Sequence, residues 1–484
     1  MVQSLSSHRH YFILASANAS LGFLFFTYTL SIFNSILEYI RVGVFFSHHP
    51  SLVTFIASSP FITAAISSFF AGSLSLKVGR RKLLIIADII GIFGVTLTVI
   101  PNLPAMITGR LIVGLAAGIM TVVIPLYLTE ISPPNYRGQI ITGAIALNSL
   151  GTLFAYLGGL LMPLIKEKKE SDATWRILLG ISAVPPILNL LLFAFFFKRE
   201  TPYFYLVKGK TEETKEALEL IYKKDDINEK FNEVKQEVDY LSSQGKIHYK
   251  DLLNKKYRKA VLILVLIMCA QQLAPLQIIS VYATKIFEAG LKNSGLFPLV
   301  LSIMLALINT VTDASLICIT PKIGQKASLV MGTLFVGFCT ILFGLLGLTI
   351  SPASIVSKVF LLIWPIPFAL ALSSQPFIMT AETLPSKGVS IASFFNWVVA
   401  FLTVQFFPDL ADLIGVHGVF IILGCISIIC AFVFWRFAEE SEGQKKDDAL
   451  KEYNEFYEIK VEYNTEDHLL EKKTKASYIL NIES

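Results

Sequence analysis

The chain has 484 residues, of which 54% are hydrophobic and 16% charged, with a formal net charge of +5 and a mean hydropathy of +0.62. Soluble globular domains average about 25% charged residues, so the composition argues against a soluble multidomain enzyme, and 37 Phe argue against a disordered chain. The small net charge supplies no dense basic face for nucleic acid. The 5 Cys lie in apolar runs with no C-x-x-C, against a disulfide framework or a zinc site.

At the N-terminus, His8, Arg9 and His10 lead into an apolar run with no small-residue cleavage site, which reads as an uncleaved first span. A bilayer core takes about 20 apolar residues per helix. Twelve runs meet that need, near 11–33, 52–76, 83–101, 104–128, 138–165, 176–197, 258–286, 295–319, 327–349, 354–382, 389–408 and 414–436. Each must be helical, because lipid offers no partner to a free backbone amide. Basic residues follow the even-numbered runs: Lys77, Arg80, Arg81 and Lys82 after the second, Arg137 after the fourth, Lys326 after the eighth and Lys387 after the tenth. By the positive-inside rule these joints, and with them both termini, face the cytoplasm.

The expected organisation is an all-α membrane protein of two six-helix bundles, 1–197 and 258–436. Residues 198–257 form a charged, amphipathic cytoplasmic linker with Leu218, Ile221 and Tyr222 on one face, and 437–484 form a charged tail. The halves echo one another. Lys77-Val-Gly79-Arg-Arg81 is matched by Lys322-Ile-Gly324-Gln-Lys326, and Glu130-Ile-Ser-Pro133 by Glu382-Thr-Leu-Pro385, at separations of 53 and 60 residues. Arg199-Glu200-Thr201 is matched by Glu440-Ser441. Such a repeat is the layout of a carrier whose halves rock about a midplane site. The corner charges read either as topology signals or as latches: Glu130 with Arg137 or Arg80 would form a partly desolvated pair worth about 1–3 kcal/mol, suited to a two-state equilibrium.

Gly109-Arg110, then Tyr127-Leu-Thr-Glu130-Ile-Ser-Pro133-Pro-Asn-Tyr-Arg137-Gly138, resembles the G-R and Y-x-x-E-x-x-P-x-x-x-R-G of the sugar porter branch of the major facilitator superfamily. Gly79-Arg80-Arg81, Glu200-Thr201-Pro202, Gln271-Gln272-Leu273 and Asn396-Trp397 resemble further motifs of that branch. Glu200-Thr-Pro-Tyr-Phe204, with Tyr28, Ser31 and Asn34 in the first run, is similar to hexose transporters of apicomplexan parasites. The resemblance implies the major facilitator fold and an alternating-access, facilitative carrier of a monosaccharide such as glucose. It implies a plasma-membrane monomer without cofactor or metal, with sugar and lipid bilayer as its partners.

A sugar site needs amides, which both donate and accept, and an aromatic face. Gln271, Gln272, Asn396 and Trp397 match sugar-binding positions of the family, and Gln277, Asn309, Phe377 and Asn148 join them as candidates. Each buried amide reads equally as interhelical glue. Pro275, between the Gln pair and Gln277, breaks the helix ladder, either as a plain kink or as the hinge of a gate with Tyr282 as its lid. The chain departs from the family in the helix-10 glycine–proline run, here Ala371-Leu-Ser-Ser-Gln375-Pro376-Phe377, and in the second-half latch, where Gln325 replaces an Arg. Where the family's fifth helix carries a Gln, the ungapped position is Ile145 and a shifted register offers Asn148 or Ser149. Asp88 and Arg110 read as a helix-packing pair or as topology elements. Asp313, four residues after Asn309, is a membrane carboxylate and so either a coupling site or a structural group. Proton-coupled members carry an Asp where this chain has Thr29. Two alternatives to uniport stay open: a proton–sugar symporter using Asp313, and a non-transporting nutrient sensor on a carrier fold.

Overall fold

The computed structural model describes residues 7–40, 50–164, 168–243, 248–288, 296–350 and 355–439. These are almost wholly helical, with no strand among them. The tail expected over 437–484 lies outside the described residues from 440 onward, as do Glu440, Ser441 and the side chain of Lys322.

The first half contains α1 (Ser7–Ile40), α2 (Pro50–Val78), α3 (Arg80–Thr98), α4 (Leu103–Ile131) and α5 (Arg137–Gly159), then α6 (Lys168–Ile181) and α7 (Val184–Phe195) stacked as one bent rod. Linker helices α8 (Pro202–Val207), α9 (Thr211–Glu219) and α10 (Ile227–Ser243) pack together at one end of the molecule. Leu218 is buried there as the last apolar turn of α9, while Ile221 is buried from the following turn. The second half contains α11 (Lys255–Leu273), α12 (Leu276–Glu288), α13 (Phe297–Ile323), α14 (Gln325–Thr349), α15 (Ile355–Ile363), α16 (Gln375–Thr383) and α17 (Ser386–Phe437).

Among the described residues, ten stretches are long and apolar enough to cross a membrane by length and composition. The 52-residue α17 divides at Gly415, whose φ of 76° breaks the helix. Arg80–Thr98 is one further helix of 19 residues, charged only at Arg80, Arg81, Lys82 and Asp88. Large apolar side chains such as Phe93, Phe195, Phe196, Phe432 and Trp435 face outward, while amides, hydroxyls and carboxylates concentrate inside. This inside-out polarity follows from lipid as the solvent.

The repeat is visible in backbone detail. Gly79 and Gly324 occupy equivalent corners with φ of 107° and 79°, a region that favours glycine. Each directly precedes the next helix, α3 or α14. The two halves meet along α2–α17, α5–α13 and α1–α12. At the linker end, a Cβ on Gly72 would lie 2.0 Å from Ser386 O, so only glycine allows α2 this close to α17, and Gly72 N–H donates to Ser390 Oγ at 2.8 Å. At the far end, Asn34 and Thr284 exchange two hydrogen bonds of 2.9 and 3.1 Å, and Ser58 donates to Gln405 at 2.6 Å. Both ends of the seam are shut around a central cavity.

Candidate functional site

Proline and backbone rephasing build the cavity wall. Pro275 has no N–H and cannot continue the α11 ladder. The chain leaves the helix at Ala274 (ψ 71°) and re-enters at Leu276. The break sets Gln271 and Gln272 on the rod below it and Gln277 on the rod above. In the α15–α16 region the family's glycine–proline run is missing, yet the rod is still broken. It turns at Trp364 before Pro365, passes through a π-turn at Ala369–Ser373, and resumes at Gln375 before Pro376. Breaks of these kinds are tolerated in a membrane where they line a cavity.

The cavity lies between the halves and measures about 60 Å³ over the positions a water centre can take. All eight candidate substrate residues line it: Gln271, Gln272, Gln277, Asn309, Phe377, Asn396 and Trp397 from the second half and Asn148 from the first. Three of the amides form one network. Gln272 Nε2 donates to Asn396 Oδ1 at 3.1 Å, Asn396 Nδ2 donates to Gln271 Oε1 at 2.9 Å and to Met268 O at 2.6 Å, and Gln271 Nε2 donates to Leu372 O at 2.7 Å. Gln271 thereby holds the π-turn, so the amides act as interhelical glue and cavity lining together.

Four polar atoms on cavity-lining residues are left over: the acceptors Gln272 Oε1 and Asn309 Oδ1 and the donors Trp364 Nε1 and Trp397 Nε1. Gln277 makes no hydrogen bond among the described residues. Buried polar atoms without partners cost about 1–3 kcal/mol each. The aromatic wall crosses the seam: Phe26 and Phe61 each lie 5.8 Å from Trp397, and Phe23 lies 6.0 Å from Phe377.

Sequence reasoning missed Phe23, Phe26, Thr27, Thr121, Thr152, Tyr156 and Trp364 as lining residues. Phenyl groups and hydroxyls are common in membrane helices and carry no signal of facing inward. At α5 the ungapped and shifted registers are both used, since Ile145, Asn148 and Ser149 all line the cavity. Thr27 donates to Asn148 Oδ1 across to α1. Tyr28 and Asn34 are engaged elsewhere: Tyr28 donates to Leu178 O at 2.9 Å, and Asn34 closes the far seam.

Asp313 is 1% exposed beside the cavity. Ser149 Oγ donates to Asp313 Oδ2 and accepts from Asn309 Nδ2 at 3.1 Å, a chain that crosses from α5 to α13. Ser373, on the turn between α15 and α16, also faces the carboxyl, and no cation stands within ion-pair distance of it among the described residues.

At the linker-end corner, Glu130 pairs with Arg80 at 2.7 Å, both nearly inaccessible, and accepts from Thr201 Oγ1 at 2.5 Å. Arg137 takes no part; its Nε is unpartnered, because the 3-10 turn at Pro134–Tyr136 carries it past the carboxylate. Of the two partners considered for Glu130, the structure uses Arg80. Glu200 accepts from the backbone N–H groups of Arg81 (3.0 Å) and Lys82 (2.9 Å), so it caps the positive N-terminal end of α3. Burial pushes its carboxyl above the ordinary 4.5, while those N–H groups and the charges of Arg81 and Arg80 pull it back. Arg81 donates its guanidinium to the carbonyls of Phe193 and Phe197. The second half echoes the corner: Gln325 Nε2 donates to Glu382 Oε2 at 3.2 Å, and Lys326 reaches Glu439 at 3.5 Å.

Two expectations are corrected. Asp88 and Arg110 do not pair. Asn189 Nδ2 donates to Asp88 at 3.2 Å, while Arg110 donates to the carbonyls of Thr29, Ile56 and Ala57 and stacks 3.9 Å from the Phe33 ring. Arg110 has the reach to satisfy three backbone acceptors across α1 and α2, which fixes it away from α3. Tyr282 does not line the cavity; its hydroxyl donates to Val404 O at 3.4 Å and also meets Thr54 of the first half, while its ring packs 5.3 Å from Phe407.

The family model for "Sugar (and other) transporter" matches residues 14–453. The chain belongs to this family. Among its curated relatives, facilitated glucose transporter member 2 of the solute carrier 2 family is 31% identical in Bos taurus over 383 residues (76% of this chain, 72% of the relative) and 29% in Sus scrofa over 409 (81% and 75%). Hexose transporter 1 of Plasmodium knowlesi is 25% identical over 459 residues, 89% of this chain and 90% of the relative. Among solved structures, the proton:xylose symporter XylE bound to 6-bromo-6-deoxy-D-glucose superposes with a TM-score of 0.83 at 21% identity, covering 92% of this chain and 99% of that one. That likeness is one of fold. The chain is therefore a multi-pass membrane transporter of the sugar family with the major facilitator fold, and not an enzyme.

Proposed function

We propose that the protein is a facilitative uniporter of a monosaccharide, a glucose-like hexose, working by alternating access in the plasma membrane with both termini and the linker cytoplasmic. In this reading it is a monomer without cofactor, partnered by sugar and bilayer and not by nucleic acid. The observation that carries it is the central cavity, whose unmatched acceptors on Gln272 and Asn309 and unmatched indole donors on Trp364 and Trp397 complement a neutral, hydroxyl-covered guest. The relatives bearing the names facilitated glucose transporter and hexose transporter support the substrate class. For uniport, Arg110 hydrogen-bonds the backbone of Thr29 and has no carboxylate opposite it among the described residues.

A second reading, proton-coupled symport, is favoured by one feature: Asp313 is buried at the seam on a serine that belongs to the other half. Opening of α5 from α13 would hydrate the carboxylate and so link its protonation to the transport cycle. Uptake of labelled hexoses, pentoses and polyols by the reconstituted protein decides between the two. Uniport predicts saturable hexose uptake unchanged by an imposed pH gradient and by Asp313→Asn. Uptake that collapses with the gradient would establish symport, and an absence of saturable uptake would leave the nutrient-sensor reading in place of both.

A further inference from the structure

Trp364 stands at the turn that ends α15, directly before Pro365. Its ring is 2% exposed and stacks on Phe368 at 4.5 Å between centroids and 21° between planes. Both residues line the central cavity. The stacking and the adjacent prolines hold the indole in place, yet its Nε1–H has no acceptor. A buried tryptophan N–H ordinarily finds one. On the far side of the π-turn, Phe377 lines the same cavity with a ring that cannot donate. On this broken rod, the ring donor available to a guest therefore sits at 364 and not at 377.

We propose that Trp364 is a specificity-determining residue of the carrier, its indole Nε1–H donating a hydrogen bond to one particular hydroxyl oxygen of the bound monosaccharide, with Phe368 fixing the ring's plane. This rests on the reading of the central cavity as the sugar site. The geometry gives the contact a consequence that apolar packing would lack. A neutral hydrogen bond discriminates between a sugar that carries its acceptor oxygen and an analogue that lacks it. A packed ring weakens or spares all analogues alike.

The test measures equilibrium binding to the purified full chain for glucose and its monodeoxy analogues, in the wild type, Trp364→Phe and Trp364→Tyr. Trp364→Phe keeps a stacking ring and removes the donor; Trp364→Tyr keeps a ring donor. We expect Trp364→Phe to weaken glucose binding roughly three- to tenfold and Trp364→Tyr to weaken it less. A single monodeoxy analogue should bind wild type and Trp364→Phe equally, and that analogue identifies the hydroxyl. Equal weakening across the whole series, or no change for any sugar, overturns the proposal. Asn396→Ala is measured beside them. If it weakens glucose binding while Trp364→Phe does not, the Trp364 assignment alone fails. If neither matters, or the wild type binds no sugar, the cavity reading fails with it.

Discussion

Gln272 has one half of its amide committed and the other free: Nε2 serves Asn396 and Gln271, while Oε1 is unpartnered. Gln272→Ala should therefore lower hexose affinity by about tenfold, since a buried network loses two bonds and the guest another. Unchanged affinity would assign the residue to packing alone. Glu200 gives a pH-dependent counterpart. Burial raises its pKa in the folded state, so the folded protein binds more protons than the unfolded chain just above 4.5. Its contribution to stability is full below 4.5 and is lost as pH rises through the folded pKa. Melting curves of the wild type minus those of Glu200→Gln should show that loss; a difference that grows with pH would contradict it. At this scale the amides were legible in the sequence because a carboxamide in a membrane helix is expensive and so needs a purpose. Ser149, Thr27 and Trp364 were not legible: a hydroxyl can satisfy itself on its own helix, and an indole is at home in any apolar run. The partner of Asp88 was not legible, because spacing alone cannot tell Asn189 from Arg110.

The two breaks and the two corners set the behaviour of the elements. Pro275 separates α11 from α12, and the missing N–H makes that joint weak. Pro275→Ala restores a donor and should slow turnover while leaving equilibrium affinity within about twofold; a faster carrier would show that the break is only a kink. The corners differ in charge. Arg80–Glu130 is a buried ion pair with Thr201 as a third partner, and Glu130→Gln leaves the Arg80 charge uncompensated, a loss of about 3–5 kcal/mol. Gln325 offers Glu382 a neutral amide where Arg80 offers Glu130 a guanidinium. Gln325→Arg should raise the melting temperature and lower the transport rate, as expected of a tighter corner; a lower melting temperature would mean that Glu382 cannot accommodate the guanidinium. The first-half corner was readable from Gly79-Arg-Arg81 and Glu130, since a glycine, two guanidiniums and a carboxylate specify a charged turn. The π-turn was not. Its proline signals are spread over Pro365, Pro367 and Pro376 and do not form a compact glycine–proline run.

On the scale of the whole molecule, the echo between halves announced two bundles about one seam, and lipid as solvent dictated their outward apolar faces. The sequence could not show that the seam is closed at both ends, because the contacts that close it are small and far apart in the chain. Gly72 reaches Ser390, and Asn34 reaches Thr284. Paired cysteines at Asn34 and Thr284 should, once oxidised, hold the far end shut and abolish uptake, with recovery on reduction. Full transport by the cross-linked protein would mean that this end does not open in the cycle.

The central claim is that a monosaccharide binds at the amide network between the halves. Counterflow of labelled glucose in proteoliposomes tests it most directly, comparing the wild type with Asn396→Ala at the network's hub and with Phe195→Ala on the exposed outer face. The account predicts that KM for glucose rises about tenfold or more in Asn396→Ala and stays at the wild-type value in Phe195→Ala. Equal KM in all three proteins would contradict it.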